Sequence, residues 1–352
     1  KLCAMAAAAV GLPASAGRAF AESAMAGAKP SVIWLHFSEC TGCTETLLRP
    51  SHPGLDELIL DLISLDYHET LFVAAGHQFH AAKKAAMAAN AGKYVLVVEG
   101  AIPTKDGGIY CKIGGQTAVE IINEAAADAG AIIAIGSCAS WGGVPSADPN
   151  PTGCTGAPMV LDGKTVVTIP GCPPNPYNFL GVVLQYATFG TLPELDGQGR
   201  PKFAYGRTIH EHCPRRPHFD AGRFAKVYGD DGHRLGYCLY ELGCKGPQTH
   251  ANCSTLHFNE VNDAWPIGLG HPCFGCTEPA MAFRLPQHAT VPIINRTPSM
   301  AYAPIRSDQQ TRISPVATGI AGFIGGVLTG AGLRIADHLR DGEPAAQANT
   351  EV

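Results

Sequence analysis

The chain has 352 residues, enough for two ordinary domains, and its apolar fraction of 46% excludes a wholly disordered protein. Only 16% of the residues are charged, and the net charge of −5 offers no general basic surface to nucleic acid. The 41 glycines and 27 prolines predict long irregular segments. The 13 cysteines are candidates for holding such segments together. Their odd number argues against a complete disulfide framework, and a cytosolic enzyme rarely carries so many without a metal.

The beginning of the chain has the pattern of an export signal. Residues 2–14 form an apolar, alanine-rich run too short to span a bilayer, and A-x-A sites follow at 19–21 and 24–26. The alternative is an amphipathic helix packed on the protein. We expect residues 1–28 to be a signal remnant, so Cys3 is excluded from the ligand count.

Apolar runs of strand length alternate with alanine-rich helical patterns in the first half of the chain. The strands are predicted over residues 31–37, 94–98, 131–135 and 165–169. The helices are predicted over residues 44–65, 80–90 and 117–130. Uniformly apolar strands that alternate with helices indicate an α/β fold with a parallel sheet covered on both faces.

Three of the predicted strands are each followed by cysteine within three residues. In parallel sheets ligands bind at the carboxyl ends of the strands, so these thiols should converge. They are Cys40, Cys43, Cys138 and Cys172. Four thiolates at one edge suit an iron–sulfur cluster or zinc. The pair Cys40-x-x-Cys43 alone would fit a thioredoxin-like redox motif equally well.

Turn residues dominate the chain from residue 192 to residue 304. This stretch contains a histidine and six cysteines: His210, Cys213, Cys238, Cys244, Cys253, Cys273 and Cys276. A segment so poor in regular structure needs more than burial to become ordered, and we expect ligation to supply it. Seven ligands fill one four-ligand and one three-ligand site; the alternatives are two zinc ribbons or three disulfides. Cys111 and Cys154 are expected to be non-ligands.

A second uncharged run lies near the end of the chain. Residues 316–333 are 18 residues long, at the lower limit for a membrane span, and contain three glycines at four-residue spacing. That spacing gives a helix a smooth face for close packing. The alternative is a buried or flexible glycine-rich tail. We expect residues 306–352 to be a tail that is a candidate membrane anchor.

Five motifs, in order along the chain, resemble the small subunit of nickel–iron hydrogenases. They lie at Glu39–Glu45, Gly136–Cys138, Trp141–Gly143, Pro170–Pro176 and His271–Pro279. The resemblance spans about residues 29–304. It implies a flavodoxin-like, doubly wound domain over 29–190 and an irregular iron–sulfur domain over 191–305. It also implies a separate large subunit that holds the nickel–iron centre.

The same resemblance implies the ligands of three clusters. The proximal 4Fe–4S cluster would be held by Cys40, Cys43, Cys138 and Cys172. The distal 4Fe–4S cluster would be held by His210, Cys213, Cys238 and Cys244, and its neutral histidine should raise its potential. The medial cluster would be held by Cys253, Cys273 and Cys276. Pro266 lies where a fourth medial ligand would come from and cannot coordinate, which favours a 3Fe–4S cluster.

Two further features follow from the resemblance. Glu39 and Thr41 match the start of the family's proton route, although a carboxylate and a hydroxyl in such a loop also commonly bond to backbone amides. Oxygen-tolerant members carry two extra cysteines beside the proximal cluster. Here those positions are Gly42 and Gly143, which implies an ordinary four-cysteine cluster.

The implied function is electron transfer in an exported uptake hydrogenase. Electrons from H2 oxidation at the large subunit would pass through three clusters to a membrane or cytochrome-type acceptor, with no catalytic residue in this chain and no nucleic-acid partner. The expected location is periplasmic and membrane-associated, after export by a folded-protein signal. The alternatives are a complex I-like electron-transfer subunit, a cytosolic hydrogen-sensing hydrogenase, and an exported zinc- or disulfide-stapled binding protein.

Overall fold

A parallel sheet occupies the centre of the first half of the protein. The computed structural model describes residues 29–52 and 54–293; the predicted signal remnant, Cys3 and the tail from residue 306 lie outside them. The sheet contains five strands: β1 (Ser31–His36), β2 (Ser64–His68), β3 (Val95–Glu99), β7 (Ala131–Ile135) and β9 (Val167–Ile169). Two short antiparallel pairs lie outside it: β4 (Ile102–Pro103) with β8 (Cys154–Thr155), and β5 (Lys112–Ile113) with β6 (Gln116–Thr117).

The order of the sheet is β2-β1-β3-β7-β9, which is the flavodoxin-like order. Its register pairs His36 with Glu99, Glu99 with Ile135, and Ile135 with Ile169. The carboxyl ends of four strands therefore lie in one row. The segments that follow three of these ends contain the first four predicted ligands.

Alternate residues of the strands are buried on opposite faces of the sheet. Val32 and Trp34 belong to one hydrophobic cluster, whereas Ile33 and Leu35 belong to the other. All six residues of β1 are buried. The α/β fold with a sheet covered on both faces is thus confirmed.

Short helices connect the strands and follow them. They are α1 (Gly42–Leu47), α2 (Leu55–Glu57) with a π-helical turn at Leu58–Leu62, α3 (Gly76–Ala89), α4 (Ala118–Ala126), α5 (Gly136–Trp141), α6 (Ala157–Val160), α7 (Pro176–Phe189), α8 (Lys202–Tyr205), α9 (Arg216–Asp220) and α10 (Asp231–Arg234). Within the described ranges, no helix is both long and apolar enough to cross a membrane.

The helix predicted over residues 44–65 is wrong in extent. Helix α1 ends at Leu47, and residues 64–68 form the unpredicted edge strand β2. Pro50 and Pro53 explain the break, because proline lacks the amide donor that a helix interior needs. Helix α7 was also not predicted.

The second half is irregular, as expected. Beyond α10 the described chain has only 3-10 turns, at Tyr240–Leu242, Gly246–Gln248 and Phe258–Glu260. Its apolar side chains Leu239, Trp265 and Ile267 belong to the same cluster as Val32 and Trp34 of the sheet. One core therefore contains residues from both sides of the boundary predicted at residue 190, which itself stays a prediction.

Candidate metal centres

The first four predicted ligands converge at the row of strand ends, and we call them the proximal group: Cys40, Cys43, Cys138 and Cys172. Burial, then the Glu99 carboxylate, and then the other three thiols raise the pKa of Cys43. Burial and the Cys172 thiol raise the pKa of Cys138 to about 12. Such effects require short distances between the thiols, although 132 positions separate the first from the last.

Gly136 and Gly143 make room for two thiols of the proximal group because they have no side chains. A Cβ on Gly136 would be 2.4 Å from Sγ of Cys43, and a Cβ on Gly143 would be 2.7 Å from Sγ of Cys138. Both glycines have positive φ, +84° and +48°, a conformation that other residues rarely adopt. A side chain at either position would displace a thiol of the proximal group.

Glu99, which was not among the predicted site residues, fixes the first turn of helix α1, which contains Cys43. Its Oε1 accepts the backbone N–H of Cys43 at 3.0 Å and of Thr44 at 3.3 Å. Its Oε2 accepts the Thr44 hydroxyl at 2.6 Å and the Trp34 indole N–H at 3.0 Å. Four hydrogen bonds thus hold a carboxyl group that is only 1% exposed. Its place at the end of an apolar strand was a signal that could have revealed it.

His68 extends this network as a neutral donor. Its Nδ1 accepts the backbone N–H groups of Thr70 and Leu71, both at 3.2 Å. The proton must therefore be on Nε2, which donates to the Thr44 hydroxyl at 3.2 Å. Burial, aided by the charge of His36, lowers the pKa of His68 to about 3.

The two predicted proton-route residues are in contact. The Thr41 hydroxyl donates to Oε1 of Glu39 at 3.2 Å, and Nδ1 of His36 lies 3.2 Å from the same oxygen. Ligand atoms of His36, Glu39 and Glu99 lie within 4.8 Å of one another, but these hydrogen bonds already account for the grouping. Within the described chain, Oε2 of Glu39 and Nε2 of His36 are buried without hydrogen-bond partners.

The three predicted medial ligands, which we call the medial group, line one cavity of about 240 Å³: Cys253, Cys273 and Cys276. Pro266 and Cys172 line the same cavity. Burial, followed by the Cys273 thiol, raises the pKa of Cys253 to about 12. Pro266 thus lies where it faces the three thiols and offers them no fourth ligand.

The remaining predicted ligands, which we call the distal group, line a second pocket: His210, Cys213, Cys238 and Cys244. Arg215 and Arg216 line the same pocket. Burial, then the charge of Arg216, lowers the pKa of His210 to about 4. The imidazole is therefore neutral near pH 7, which is the form that binds metals.

The three groups follow one another through the protein. The Cys172 thiol contributes to raising the pKa of Cys276, and the Cys244 thiol contributes to raising the pKa of Cys273. Buried Ser137 joins the first two groups, because its Oγ accepts Gly171 N–H at 3.0 Å and donates to the carbonyl of Cys276 at 2.5 Å. Sequence reasoning missed this serine.

The two cysteines expected to be non-ligands lie elsewhere. Cys154 is buried in β8, 3.2 Å from the Thr152 hydroxyl. Cys111 is half-buried; burial and the Glu69 carboxylate raise its pKa. All cysteines in the described ranges are free thiols.

The donor sets fit iron–sulfur clusters better than zinc. A zinc ion with Zn–S bonds of about 2.3 Å holds its tetrahedral sulfurs about 3.8 Å apart. In the part of the chain that the structure describes, no three ligand atoms of these groups lie within 4.8 Å of one another. Thiolates that lie farther apart than the ligands of a single zinc ion are the arrangement expected around an iron–sulfur cluster.

Comparison with known families agrees with this chemistry. Residues 40–186 match the model of the 20 kDa subunit of NADH ubiquinone oxidoreductase, and residues 205–287 match that of the C-terminal region of NiFe/NiFeSe hydrogenase small subunits. The first match lies within the half that contains the parallel sheet. The second covers most of the irregular second half.

Relatives and solved structures extend the match along the chain. The Hydrogenase-2 small chain of Escherichia coli K12 is 52% identical over 330 residues, covering 94% of this chain and 89% of the relative. The periplasmic NiFe hydrogenase small subunit of Solidesulfovibrio fructosivorans is 50% identical over 279 residues, 79% of this chain and 87% of the relative. The reduced, active NiFeSe hydrogenase of Desulfomicrobium baculatum superposes with a TM-score of 0.67 at 35% identity, covering 72% of this chain and 95% of that chain. These findings support the expected electron-transfer subunit over the alternatives, and the chain belongs to the family of nickel–iron hydrogenase small subunits.

Proposed function

We propose that this small subunit holds three clusters with the ligands and types expected from its sequence. The proximal group would hold a 4Fe–4S cluster, the medial group a 3Fe–4S cluster, and the distal group a 4Fe–4S cluster. When bound, the clusters supply one-electron redox chemistry. The nickel–iron centre belongs to the large subunit, with which this chain forms the hydrogenase.

The observation that carries the proposal is the succession of thiols across group boundaries. Cys172 of the proximal group lines the cavity of the medial group. Cys273 of the medial group lies close to Cys244 of the distal group. Ligands of neighbouring groups are thus adjacent at both boundaries, which supports short electron-transfer steps in the order proximal, medial, distal.

The external acceptor is proposed to dock beside the distal group. Arg215 and Arg216 line this pocket, and His210 is partly exposed. A membrane or cytochrome-type acceptor and a periplasmic location belong to the same proposal. They agree with the names of relatives, one a periplasmic small subunit and another the quinone-reactive small chain of Wolinella succinogenes, 44% identical over 318 residues, 88% of this chain and 89% of the relative.

We also propose that Glu39 and Thr41 begin the proton route. Their support is local: Glu39 accepts the Thr41 hydroxyl, and its second oxygen has no partner in the described ranges. That free oxygen is where a further proton donor or acceptor would bind.

The ligand assignment is tested by separating hydrogen chemistry from electron delivery. In the heterodimer, Cys213→Ser should remove a distal ligand. Hydrogen–deuterium exchange at the large subunit should then continue, while reduction of the acceptor falls at least tenfold. Cys154→Ser is the matched control and should leave both activities unchanged. Full acceptor reduction by the Cys213 variant, or equal losses in both variants, would contradict the assignment.

A further inference from the structure

Lys245 is a fully buried cation that the proposed electron route does not use. Its side chain is 1% exposed. The Nζ atom donates to the carbonyl oxygens of Gly243, Pro286 and Gln287 at 3.4, 3.2 and 2.7 Å. Three acceptors require three N–H donors, which an ammonium has and a neutral amine lacks. The three carbonyl oxygens around Nζ therefore match the three donors of the charged form of Lys245.

The backbone of Lys245 links a ligand of the distal group to a ligand of the medial group. It directly follows Cys244 of the distal group, and its backbone N–H donates to the carbonyl of Cys273 of the medial group at 2.7 Å. Burial is the largest influence on the pKa of the Lys245 amine and lowers it, whereas the thiols of Cys273 and Cys244 raise it. Each of these thiols lines a different site.

A fixed positive charge at this place favours the reduction of a neighbouring cluster. Reducing a cluster adds one electron, supplied in this family by H2 oxidation at the large subunit, and the lysine proton stays in place. The added negative charge is stabilised by a nearby cation, more strongly in a buried site than in water. Lys245 is adjacent to ligands of both groups, so its charge should raise the reduction potentials of both clusters.

We propose that Lys245 is a positioning residue for redox potential, raising the reduction potentials of the medial and distal clusters together. The inference rests on the proposed ligand assignment. A merely structural lysine would tie the carbonyls of residues 286 and 287 to the ligand loop and leave the potentials alone. The two roles predict different reduction potentials when a neutral side chain replaces the lysine.

The test is a redox titration of the heterodimer, followed by electron paramagnetic resonance. Lys245→Gln keeps hydrogen-bond donors but removes the charge, and Lys245→Met removes both. In both variants we expect about a tenfold fall in the equilibrium constant for reducing the medial and distal clusters, which is 59 mV for one electron. The proximal cluster should shift less, and Lys245→Arg should retain the wild-type potentials.

Lys83 supplies a matched control. It is also 1% exposed, lies in α3 and has its Nζ 5.5 Å from the centre of the Tyr67 ring, with acidic groups and Lys84 as charged neighbours. Lys83→Met should leave all three potentials unchanged. Wild-type protein without clusters would refute the ligand assignment. Intact clusters with unshifted potentials, a shift of one cluster only, or loss of iron in both neutral variants would overturn the role of Lys245 alone.

Discussion

The surroundings of individual cysteines separate ligands from spare thiols. Cys138 lies close to two other thiols and to Glu39, whereas Cys154 contacts the Thr152 hydroxyl in a short antiparallel pair. Cys154 is near one further thiol, that of Cys111, and two thiols are too few for a four-ligand site. A buried thiol among several others has the surroundings that we expect of a metal ligand.

Replacing each of these two cysteines by serine should therefore give different iron contents. Cys138→Ser should lose the iron of the proximal cluster, and it should weaken assembly with the large subunit because cluster and loop become ordered together. Cys154→Ser should retain the wild-type iron content. The measurement is iron per purified heterodimer. Equal iron loss in both variants would refute the distinction.

Gly42 and Gly143 lead to a prediction about oxygen. Neither has a side chain that could ligate the proximal cluster, and a Cβ on Gly143 would be only 2.7 Å from Sγ of Cys138. We expect air to inactivate the enzyme and a reductant to restore it. Hydrogen oxidation recorded under alternating air and hydrogen tests this. Sustained turnover in air, or a second one-electron oxidation of the proximal cluster, would show the prediction to be wrong.

Among individual residues, the sequence predicted those whose chemistry is uncommon, such as metal-ligating cysteine and histidine. Cysteines after apolar strands and a His-x-x-Cys spacing were visible without a structure. Glu99, His68 and Ser137 were not, because each is a common residue whose role depends on partners distant in the chain. Glu99, for example, binds the amide of Cys43, 56 positions away.

Among the structural elements, the loop that carries the medial ligands is held by a buried ion pair. Arg200 is 4% exposed; its Nη1 lies 2.9 Å from Oε1 of Glu278, and its Nε lies 2.8 Å from Oδ2 of Asp196. Oε1 of Glu278 also accepts the backbone N–H of His250 at 2.7 Å. Removing the arginine would leave this buried carboxylate with only the backbone N–H and the side chain of His250 as partners.

Arg200→Ala should accordingly destabilise the heterodimer by about 3–5 kcal/mol, the usual cost of breaking a buried pair. Denaturant unfolding followed by cluster absorbance measures the change. The control is Arg216→Ala, because Arg216 and Asp220 form a pair whose side chains are 41% and 56% exposed. It should cost less than about 1 kcal/mol. Similar losses in the two variants would contradict this account.

Element boundaries were predictable only where the local signals agreed. Strands β3 and β7 were predicted to within a residue because all their residues except Glu99 are apolar. The predicted helix over residues 44–65 failed because its apolar spacing outweighed Pro50 and Pro53. Strand β2 has polar residues at Ser64, Asp66 and His68, and its pairing with β1 rather than its composition makes it a strand.

At the scale of the whole molecule, the uncharged run at residues 316–333 lies outside the described residues and stays a prediction. If it anchors the enzyme, deleting residues 313–352 should release active heterodimer from membranes into the soluble fraction. Deleting only residues 341–352 should leave the enzyme membrane-bound. Fractionation followed by a hydrogenase assay measures both. An intact complex that is soluble without detergent would contradict the anchor.

The overall plan was predictable because two independent patterns coincide. Apolar strands alternating with helices predicted the sheet, and the turn residues that dominate residues 192–304 predicted an irregular second half. The shared core was not predictable, because the apolar residues between Leu239 and Ile267 show no periodicity that points to the sheet face they cover.

The central claim is that this chain holds three iron–sulfur clusters, and metal analysis of the purified heterodimer tests it most directly. The ligand count predicts brown protein with about eleven iron atoms in addition to the nickel–iron centre, from two four-iron clusters and one three-iron cluster. Colourless protein that contains zinc in place of this iron would contradict the claim.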